Sequence, residues 1–244
     1  MRLPRFYLEA PLVPGERVRL SDAAFRHGIQ VLRLSDGAPL VLFNGDGFDY
    51  HAVLDGVSRR EAWARIEVQQ TNLTESPLDL CLVQGIGKNE HMDLAVQKAV
   101  ELGVHSIRPV ICARSQHMAA DRLQRRHAHW RGVIVSACEQ SGRSRIPEIQ
   151  SPVPLRGWLE NSLGNECRIM LDPGANDSLA THAFNRDAPI EILVGPEGGL
   201  SEQEVAESSA AGVVPLRMGP RVLRTETAAI AAIAWIQLHC GDMG

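Results

Sequence analysis

The sequence lacks the features that mark a membrane-spanning, secreted or zinc-binding protein. None of its apolar runs approaches the ~18 residues that a membrane-spanning helix needs. The first residues, Met1–Tyr7, have neither the long apolar core nor the cleavage pattern of a secretory signal, which favours a cytoplasmic protein. The five cysteines are odd in number and contain no C-x-x-C pair, so neither a zinc site nor a disulfide framework is predicted.

Common nucleotide-binding, hydrolytic and metal-binding motifs are also missing. Gly85–Glu90 has neither the Walker spacing nor the third glycine of G-x-G-x-x-G, which disfavours a nicotinamide enzyme. No G-x-S-x-G is present. The histidines form no H-x-x-x-H or H-E-x-x-H pair, so we interpret His27, His91 and His117 as ordinary polar residues and predict no metal.

Lysine is scarce, and charge is unevenly distributed. Of 25 basic residues only Lys88 and Lys98 are lysines, and the formal net charge of −4 argues weakly against a nucleic-acid partner. Residues 114–145, however, carry seven arginines against two acids. Arginine offers a planar fork that suits phosphate and stacks on bases. This segment is therefore either a phosphate-binding face or the product of a genome that prefers arginine codons.

The first part of the chain, 1–72, is predicted to be a small β-barrel. Its short alternating or apolar runs are separated by turns, and Asn44–Gly47 is a strong hairpin signal. The predicted strands are 17–20, 39–43, 48–54 and 62–68. Segment 27–34 is either a short helix or a further strand. The polar stretch Thr71–Pro77 has the composition of a linker.

The remainder, 73–244, is predicted to be an α/β domain with a mostly parallel sheet, because strands and helices alternate from Leu78 onward. The predicted strands are 78–84, 107–111, 168–171, 190–194 and 213–216. The predicted helices are 89–102, 121–140, a helix opened by Ser201–Glu204, and a final helix that Thr225 could cap and that runs to about His239. The second helix has one apolar face, and its other face carries Arg122, Arg125, Arg126, His129 and Arg131.

Two glycine-bearing loops follow predicted strands near the C-terminus. Ligands of open α/β sheets bind beyond the carboxyl ends of the strands. In the first loop, Gly195–Gly199, glycines let the backbone approach a ligand, and Glu197 offers a carboxylate for a ribose hydroxyl or a cation. In the second, Gly219–Ala228, Arg221 and Arg224 stand beside the start of a helix that Thr225 is predicted to cap, which suits an anionic ligand. The alternative is that each loop is only a turn between a strand and a helix and binds no ligand.

These segments together resemble a known family, the ribosomal small-subunit RNA uridine N3-methyltransferases of the SPOUT superfamily. The resemblance rests on Gly195–Ser201, on Leu216 with Gly219–Ala228, and on Gln97–Val104. It extends to Glu139–Arg143, Arg5–Tyr7, and His27 with Val31–Arg33, and so covers nearly the whole chain.

The resemblance implies a fold, a cofactor and partners. The C-terminal domain would be a trefoil-knotted SPOUT methyltransferase, an exception to the rule against threaded chains, and the N-terminal barrel would be PUA-like. The enzyme would be a homodimer acting on 16S ribosomal RNA of the assembled small subunit. S-adenosylmethionine would contact Leu171, Gly195, Leu216, Met218, Gly219, Leu223 and Thr225. Contacts with RNA are expected from Arg5, Arg33, Lys88, Arg143 and Arg221.

The expected reaction removes a proton from uracil N3 and places a methyl group there. Arg224 is expected to stabilise the anion that forms, and Glu197 to act as base or to orient an arginine. Two alternatives remain open at this point. One is a ribose 2′-O-methyltransferase of the same superfamily, and the other is a non-catalytic RNA-binding or assembly factor.

Overall fold

A computed structural model describes residues 3–116, 118–161 and 164–244. The expectation for His117 lies outside these residues. Contacts divide the chain into two compact units. The N-terminal unit consists of the residues through Glu75 together with Val135–Ile146, and the C-terminal unit consists of Ser76–Ile134 and Pro147–Gly244.

The N-terminal unit is built on a five-stranded sheet with the order β1-β3-β4-β5-β2. Its strands are β1 (Arg5–Tyr7), β2 (Arg17–Arg19), β3 (Pro39–Phe43), β4 (Phe48–Val57) and β5 (Ala62–Thr71). Pairing is antiparallel except between β1 and β3. The hairpin turn predicted at residues 44–47 connects β3 to β4, and Gly45 and Gly47 both adopt the positive φ that such turns require.

Segment 27–34, which the sequence predicted to be either a short helix or a strand, is helical through Val31. A short helix, α1 (Asp22–Phe25), continues into a π-helical turn, Arg26–Val31. The Ser21 hydroxyl accepts a hydrogen bond from the Ala24 amide and so caps this helix. Arg33, just beyond it, is exposed and has φ = 57°, the one positive φ among the described non-glycine residues.

The C-terminal unit contains the predicted parallel sheet. Its strands are β6 (Leu80–Gly85), β7 (Ser106–Ile111), β8 (Glu148–Ile149), β9 (Val153–Pro154), β10 (Cys167–Leu171), β11 (Ile190–Val194) and β12 (Val214–Leu216). Every pair is parallel, in the order β12-β10-β11-β6-β7-β8, with β9 also pairing with β7. All residues of β6 and β11 are buried, as expected for central strands covered on both faces.

Helices connect these strands. They are α2 (Asn89–Glu101), α3 (Ala120–Ser141), α4 (Leu155–Glu160), α5 (Glu202–Ala210) and α6 (Thr225–Cys240), with a 3-10 turn at Leu179–Thr181. The predicted capping box of α5 is confirmed, because Ser201 and Glu204 bond each other's amides reciprocally. The predicted cap of α6 is wrong: Thr225 is the first helical residue, and Arg224 occupies the N-cap position without a side-chain bond. No helix in the described ranges is long and apolar enough to cross a membrane.

The parallel arrangement determines where the loops meet. Strands β6, β10, β11 and β12 are neighbours and run in one direction, so their carboxyl ends lie at one edge of the sheet. Both glycine-bearing loops, 195–200 and 217–224, start at this edge. Ligands of parallel α/β sheets bind at this kind of position.

Candidate functional site

A cavity of about 660 Å³ lies at this edge of the C-terminal unit, and this volume is within the range of small-molecule sites. Its wall is formed by the ends of β10 and β11, the two glycine-bearing loops, and the first turns of α2 and α6. The predicted residues that line it are Lys88, Leu171, Gly195, Glu197, Met218, Arg221, Leu223, Arg224 and Thr225. The structure therefore brings together most of the residues predicted for the cofactor and for catalysis.

Loop 195–200 is tightly packed. A side chain at Gly195 would place its Cβ 3.1 Å from the Leu200 amide nitrogen, and Gly199 has φ = +70°. Arg114 donates a hydrogen bond of 2.7 Å to the carbonyl oxygen of Gly198. These glycines are therefore required by the backbone path of the loop, as the sequence pattern indicated.

Thr225 connects the first loop to α6 through its hydroxyl. This group donates a hydrogen bond of 2.6 Å to the carbonyl oxygen of Gly195 and accepts one of 2.8 Å from Nε2 of Gln84 at the end of β6. Thr225 and Gln84 are both buried. The hydroxyl thus positions the cavity wall, a role that the sequence pattern did not separate from helix capping.

The Glu197 carboxylate lies against the loop after β6. Its Oε1 accepts a hydrogen bond of 2.7 Å from the backbone amide of Lys88. Gly87 sits so close to this carboxylate that a Cβ there would overlap it. Glu197 therefore holds the Gly87–Lys88 backbone in place at the start of α2.

The second loop contributes an apolar wall and a charged rim. Met218 and Leu223 line the cavity, whereas Leu216 and Gly219 lie outside the lining. Leu216 is buried, and its carbonyl oxygen accepts a hydrogen bond of 3.0 Å from the Asp172 amide. Gly219 has φ = +64°, a conformation that favours glycine.

Two arginines of this loop are available to a ligand. Arg221 and Arg224 both line the cavity and are exposed. Neither guanidinium group has an ion pair or a hydrogen bond to any residue that the structure describes. Two unneutralised cations at the rim of one cavity favour an anionic ligand.

Sequence reasoning missed a pair in the cavity wall, formed by a half-buried histidine and a buried glutamate. Nδ1 of His91, in the first turn of α2, lies 3.2 Å from Oε1 of Glu226, in the first turn of α6. The Glu226 side chain is 8% exposed, and nothing in the described ranges bonds its Oε2. The two residues are 135 positions apart, and only the packing of α2 against α6 brings them together. A weak signal was that each stands just inside the start of a predicted helix.

The residues that the structure describes do not form a metal site. Across residues 3–116, 118–161 and 164–244, no group of three or more histidine, cysteine, aspartate or glutamate side chains is placed to hold a metal ion. Burial raises the pKa of the Cys81, Cys112 and Cys138 thiols to about 12, so these cysteines are inert at neutral pH.

Comparison with known proteins decides the family. Residues 74–237 match the model of an RNA methyltransferase domain, and residues 14–67 match that of an RNA methyltransferase PUA domain. The chain is 32% identical to ribosomal RNA small subunit methyltransferase E of Buchnera aphidicola over 99% of its length and 98% of that protein. The chain belongs to this family of RNA methyltransferases.

Solved structures agree with this membership. The fold is similar to a ribosomal RNA small subunit methyltransferase E from Neisseria gonorrhoeae bound to S-adenosyl methionine, with a TM-score of 0.93 and 37% identity over 100% of both chains. It is also similar to a putative methyltransferase from Legionella pneumophila in complex with the same cofactor, with a TM-score of 0.94 and 36% identity over 99% of this chain and 100% of that one.

Two arginines that the RNA methyltransferase resemblance assigned to RNA are engaged inside the N-terminal unit. Arg5 forms an ion pair of 2.7 Å with Asp49 and donates to Ser144 Oγ at 2.7 Å. Arg143 forms an ion pair of 2.7 Å with Glu75. Both arginine side chains are less than a tenth exposed. Their predicted contact with RNA stays a prediction, and the geometry favours a structural role.

Proposed function

We propose that this chain transfers a methyl group from S-adenosylmethionine to N3 of a uridine in the 16S RNA of the assembled small ribosomal subunit. One observation carries the proposal. In a chain of this family, a cavity between two glycine-bearing loops presents two free arginines, Arg221 and Arg224, beside an apolar pocket. This combination suits a nucleoside-containing methyl donor on one side and an anionic RNA on the other.

The residues present fit S-adenosylmethionine. Leu171, Met218 and Leu223 provide apolar surface for the adenine, and the backbone around Gly195 supplies polar groups at close approach. Carboxylates of the same wall, Asp172 and Glu226, suit a molecule that carries a sulfonium and an ammonium. Leu216 and Gly219 support this wall from outside the cavity, Leu216 through its bond to the Asp172 amide. When bound, S-adenosylmethionine supplies a methyl group that is already activated for transfer.

The protein must present uracil N3 and help its proton leave. N3 lies on the pairing edge, so the base is unpaired or flipped out before it reaches the cavity. Loss of the N3 proton leaves negative charge on O2 and O4 of the uracil. Arg224, with Arg221 beside it, stabilises this charge as it develops. The arrangement of loops 195–200 and 217–224 provides much of the acceleration by holding both reactants together.

Two carboxylates are candidates for the proton acceptor. Glu197 is exposed at the cavity, although its Oε1 already binds the Lys88 amide, which also makes it a positioning group for that loop. Glu226 is buried and pairs with His91. Comparison of Glu197→Gln with Glu226→Gln separates the two, because only loss of the true acceptor lowers the rate of single-turnover transfer without weakening cofactor binding.

RNA is held by both parts of the chain. The N-terminal domain, 1–72, is a PUA-like RNA-binding module, and the methyltransferase domain, 73–244, carries a trefoil knot that shapes the cofactor pocket. Exposed Arg33 and Lys88 contact RNA phosphates, together with Arg221. The active enzyme is a homodimer, and it works in the cytoplasm, where small subunits are assembled.

The test is methylation of small subunits from a strain that lacks the enzyme, with tritiated S-adenosylmethionine and mass spectrometry of the product nucleosides. The expected product is 3-methyluridine at one position of 16S RNA. A ribose-methylated nucleoside would overturn the proposed position of transfer. Failure of the purified chain to bind S-adenosylmethionine in calorimetry would overturn the proposed reaction altogether.

A further inference from the structure

A second, smaller cavity of about 350 Å³ opens in the C-terminal unit between the N-terminal halves of α2 and α3. It is lined by Asn89, Asp93, Arg122, Arg125, Arg126 and His129. Three arginines of one helix therefore line a single small cleft. From this geometry we propose that the cleft binds a backbone phosphate of the RNA substrate, an inference that rests on the proposed function.

The arginines are placed where the helix itself would not favour them. Arg122 lies three residues before Arg125 and four before Arg126, so all three are neighbours on one face of α3. Like charges at this spacing destabilise a helix. Arg125 has a partial partner in the exposed Asp121, at 3.0 Å, whereas Arg122 has no hydrogen bond or ion pair within the described segments. A bound anion would relieve this repulsion.

Arg126 is held in place before any ligand arrives. The sequence pattern put it on the polar face of α3, but the residue is 7% exposed. Its Nη2 donates a hydrogen bond of 3.0 Å to the carbonyl oxygen of Gly87, and its guanidinium lies 4.9 Å from the centre of the Trp130 ring. Burial lowers the pKa of Arg126, Asp93 raises it, and the nearby charge of Arg122 lowers it further. Its Nη1 also donates to Sδ of Met118 at 3.2 Å, so both terminal nitrogens are engaged, and Arg126 adds a fixed positive charge to the wall of the cleft.

The rest of the cleft fits the same ligand. Nε2 of His129 lies 2.8 Å from Oδ2 of Asp93, which fixes the imidazole at the edge. Asn89 is the first residue of the 13-residue helix α2, whose positive dipole end faces an anion favourably. Asp93 is the single lining carboxylate: its Oδ2 pairs with His129, and its Oδ1 has no hydrogen-bond partner among the described residues. Arg122 has no partner there and Arg125 pairs only with the exposed Asp121, so these two arginines are available to a phosphate.

The position of the cleft connects it to methyl transfer. Lys88 lines the cofactor cavity and its neighbour Asn89 lines the cleft, so the two cavities lie on either side of one loop. This loop is bonded from both sides: Arg126 binds the Gly87 carbonyl, and Glu197 accepts from the Lys88 amide. A phosphate in the cleft therefore belongs to a nucleotide close to the uridine that receives the methyl group.

The experiment compares Arg122→Ala, Arg125→Ala and their double variant with wild type. Affinity for undermethylated small subunits is measured over a series of salt concentrations, and S-adenosylmethionine affinity is measured by calorimetry. We expect each single variant to bind subunits roughly three- to tenfold more weakly and to reduce the slope of log affinity against log salt by about 1, and the double variant to lose more than either. Cofactor affinity and turnover at saturating subunits should stay at the wild-type level.

Arg156→Ala is the matched control, because Arg156 forms the same i,i+4 pair with an acid, Glu160, but lines neither cavity. An unchanged salt slope in the double variant would overturn the phosphate site, as would a parallel loss of cofactor affinity. A further measurement uses inorganic phosphate as a competitor of subunit binding. If the variants lost phosphate binding but kept wild-type affinity for subunits, the cleft would be a site for free anions, and the assignment to RNA would be overturned. If wild type binds subunits but does not methylate them, the proposed function fails while the phosphate site stands on the slope alone.

Discussion

Two pairs of arginines, one in each unit, received similar interpretations from the sequence and have opposite environments in the structure. In the N-terminal unit, Arg5 and Arg143 are buried and bonded to Asp49 and Glu75. In the C-terminal unit, Arg221 and Arg224 are exposed at a cavity and have no partner among the residues described. All four stand in segments that resemble one family of RNA-modifying enzymes.

The difference shows that burial and partners decide what an arginine does. Removing one member of a buried ion pair leaves an uncompensated charge, so Arg5 and Arg143 contribute to folding. A guanidinium without a partner in the protein contributes little to folding, and its charge is available to substrate. The four predictions below test this division, in order of decreasing expected effect.

The largest effect is expected for Arg224→Ala. Loss of a preorganised donor at the developing charge should lower turnover by about 10² to 10³-fold, with the affinity for S-adenosylmethionine and the unfolding midpoint unchanged. Single-turnover methylation of small subunits measures the rate, and calorimetry measures the affinity. Arg224→Lys keeps the charge without the fork and should recover part of the rate. Wild-type turnover in Arg224→Ala would remove the contrast between the two pairs of arginines.

The elements that the sequence predicted well are those specified by local pattern. Strands 39–43 and 190–194 have the predicted bounds because apolar runs between turn residues define them. The capping box at Ser201 and the glycine-bearing loops are also local signals, and the structure places the two loops around one cavity. Such features depend on a few consecutive residues whose conformations are restricted.

What the sequence missed depends on distant partners. Strand β1 has three residues and pairs with β3, more than 30 positions away, so no periodicity could reveal it. The His91–Glu226 pair and the burial of Arg5 arise in the same way, from packing between segments far apart in the chain. Thr225 was assigned to a cap because residue type alone does not report whether the backbone has already become helical at that position.

The second largest effect is expected for the ion pair between Arg5 and Asp49. Arg5→Ala should reduce the free energy of unfolding by about 3 kcal/mol, because the partly buried Asp49 is left without its cation. Urea denaturation followed by circular dichroism measures this change. Arg19→Ala removes an ion pair whose members are about half exposed, with Glu61, and should cost roughly 1 kcal/mol or less. If Arg5→Ala were as stable as Arg19→Ala but bound small subunits weakly, Arg5 would belong with the RNA-facing arginines.

The third effect tests a residue that is buried like Arg5 but lies in the cofactor cavity. Thr225→Val keeps the shape of the side chain and removes the hydroxyl that joins Gly195 to Gln84. Gln84 Nε2 and the Gly195 carbonyl then keep only a longer bond of 3.5 Å to each other, and Nε2 its bonds to the carbonyls of Gly85 and Val194. Loss of the two hydroxyl bonds should cost about 1–2 kcal/mol, which we expect to appear as roughly tenfold weaker binding of S-adenosylmethionine in calorimetry. Thr225→Ser retains the hydroxyl and should bind within about twofold of wild type. Equal affinities of the valine and serine variants would show that the hydroxyl does not position the cavity wall.

The smallest effect is expected for the pH dependence of the stability that the Arg5–Asp49 ion pair provides. Burial raises the pKa of Asp49, but hydrogen bonds from Arg5, Ser144 and Asn72 lower it more, so the pKa lies below its ordinary value. A carboxyl whose pKa is lower in the folded state stabilises the protein above its unfolded pKa of about 3.9, and this stability is lost as the pH falls through the folded pKa. The unfolding free energy of wild type should therefore decline more steeply below about pH 4 than that of Asp49→Asn, measured by urea denaturation at several pH values.

Arg224→Ala should keep the wild-type slope because Arg224 has no such partner. A slope in Asp49→Asn identical to that of wild type would show that the Arg5 pair contributes no pH-dependent stability, and it would weaken the distinction between arginines that hold the fold and arginines that face the substrate.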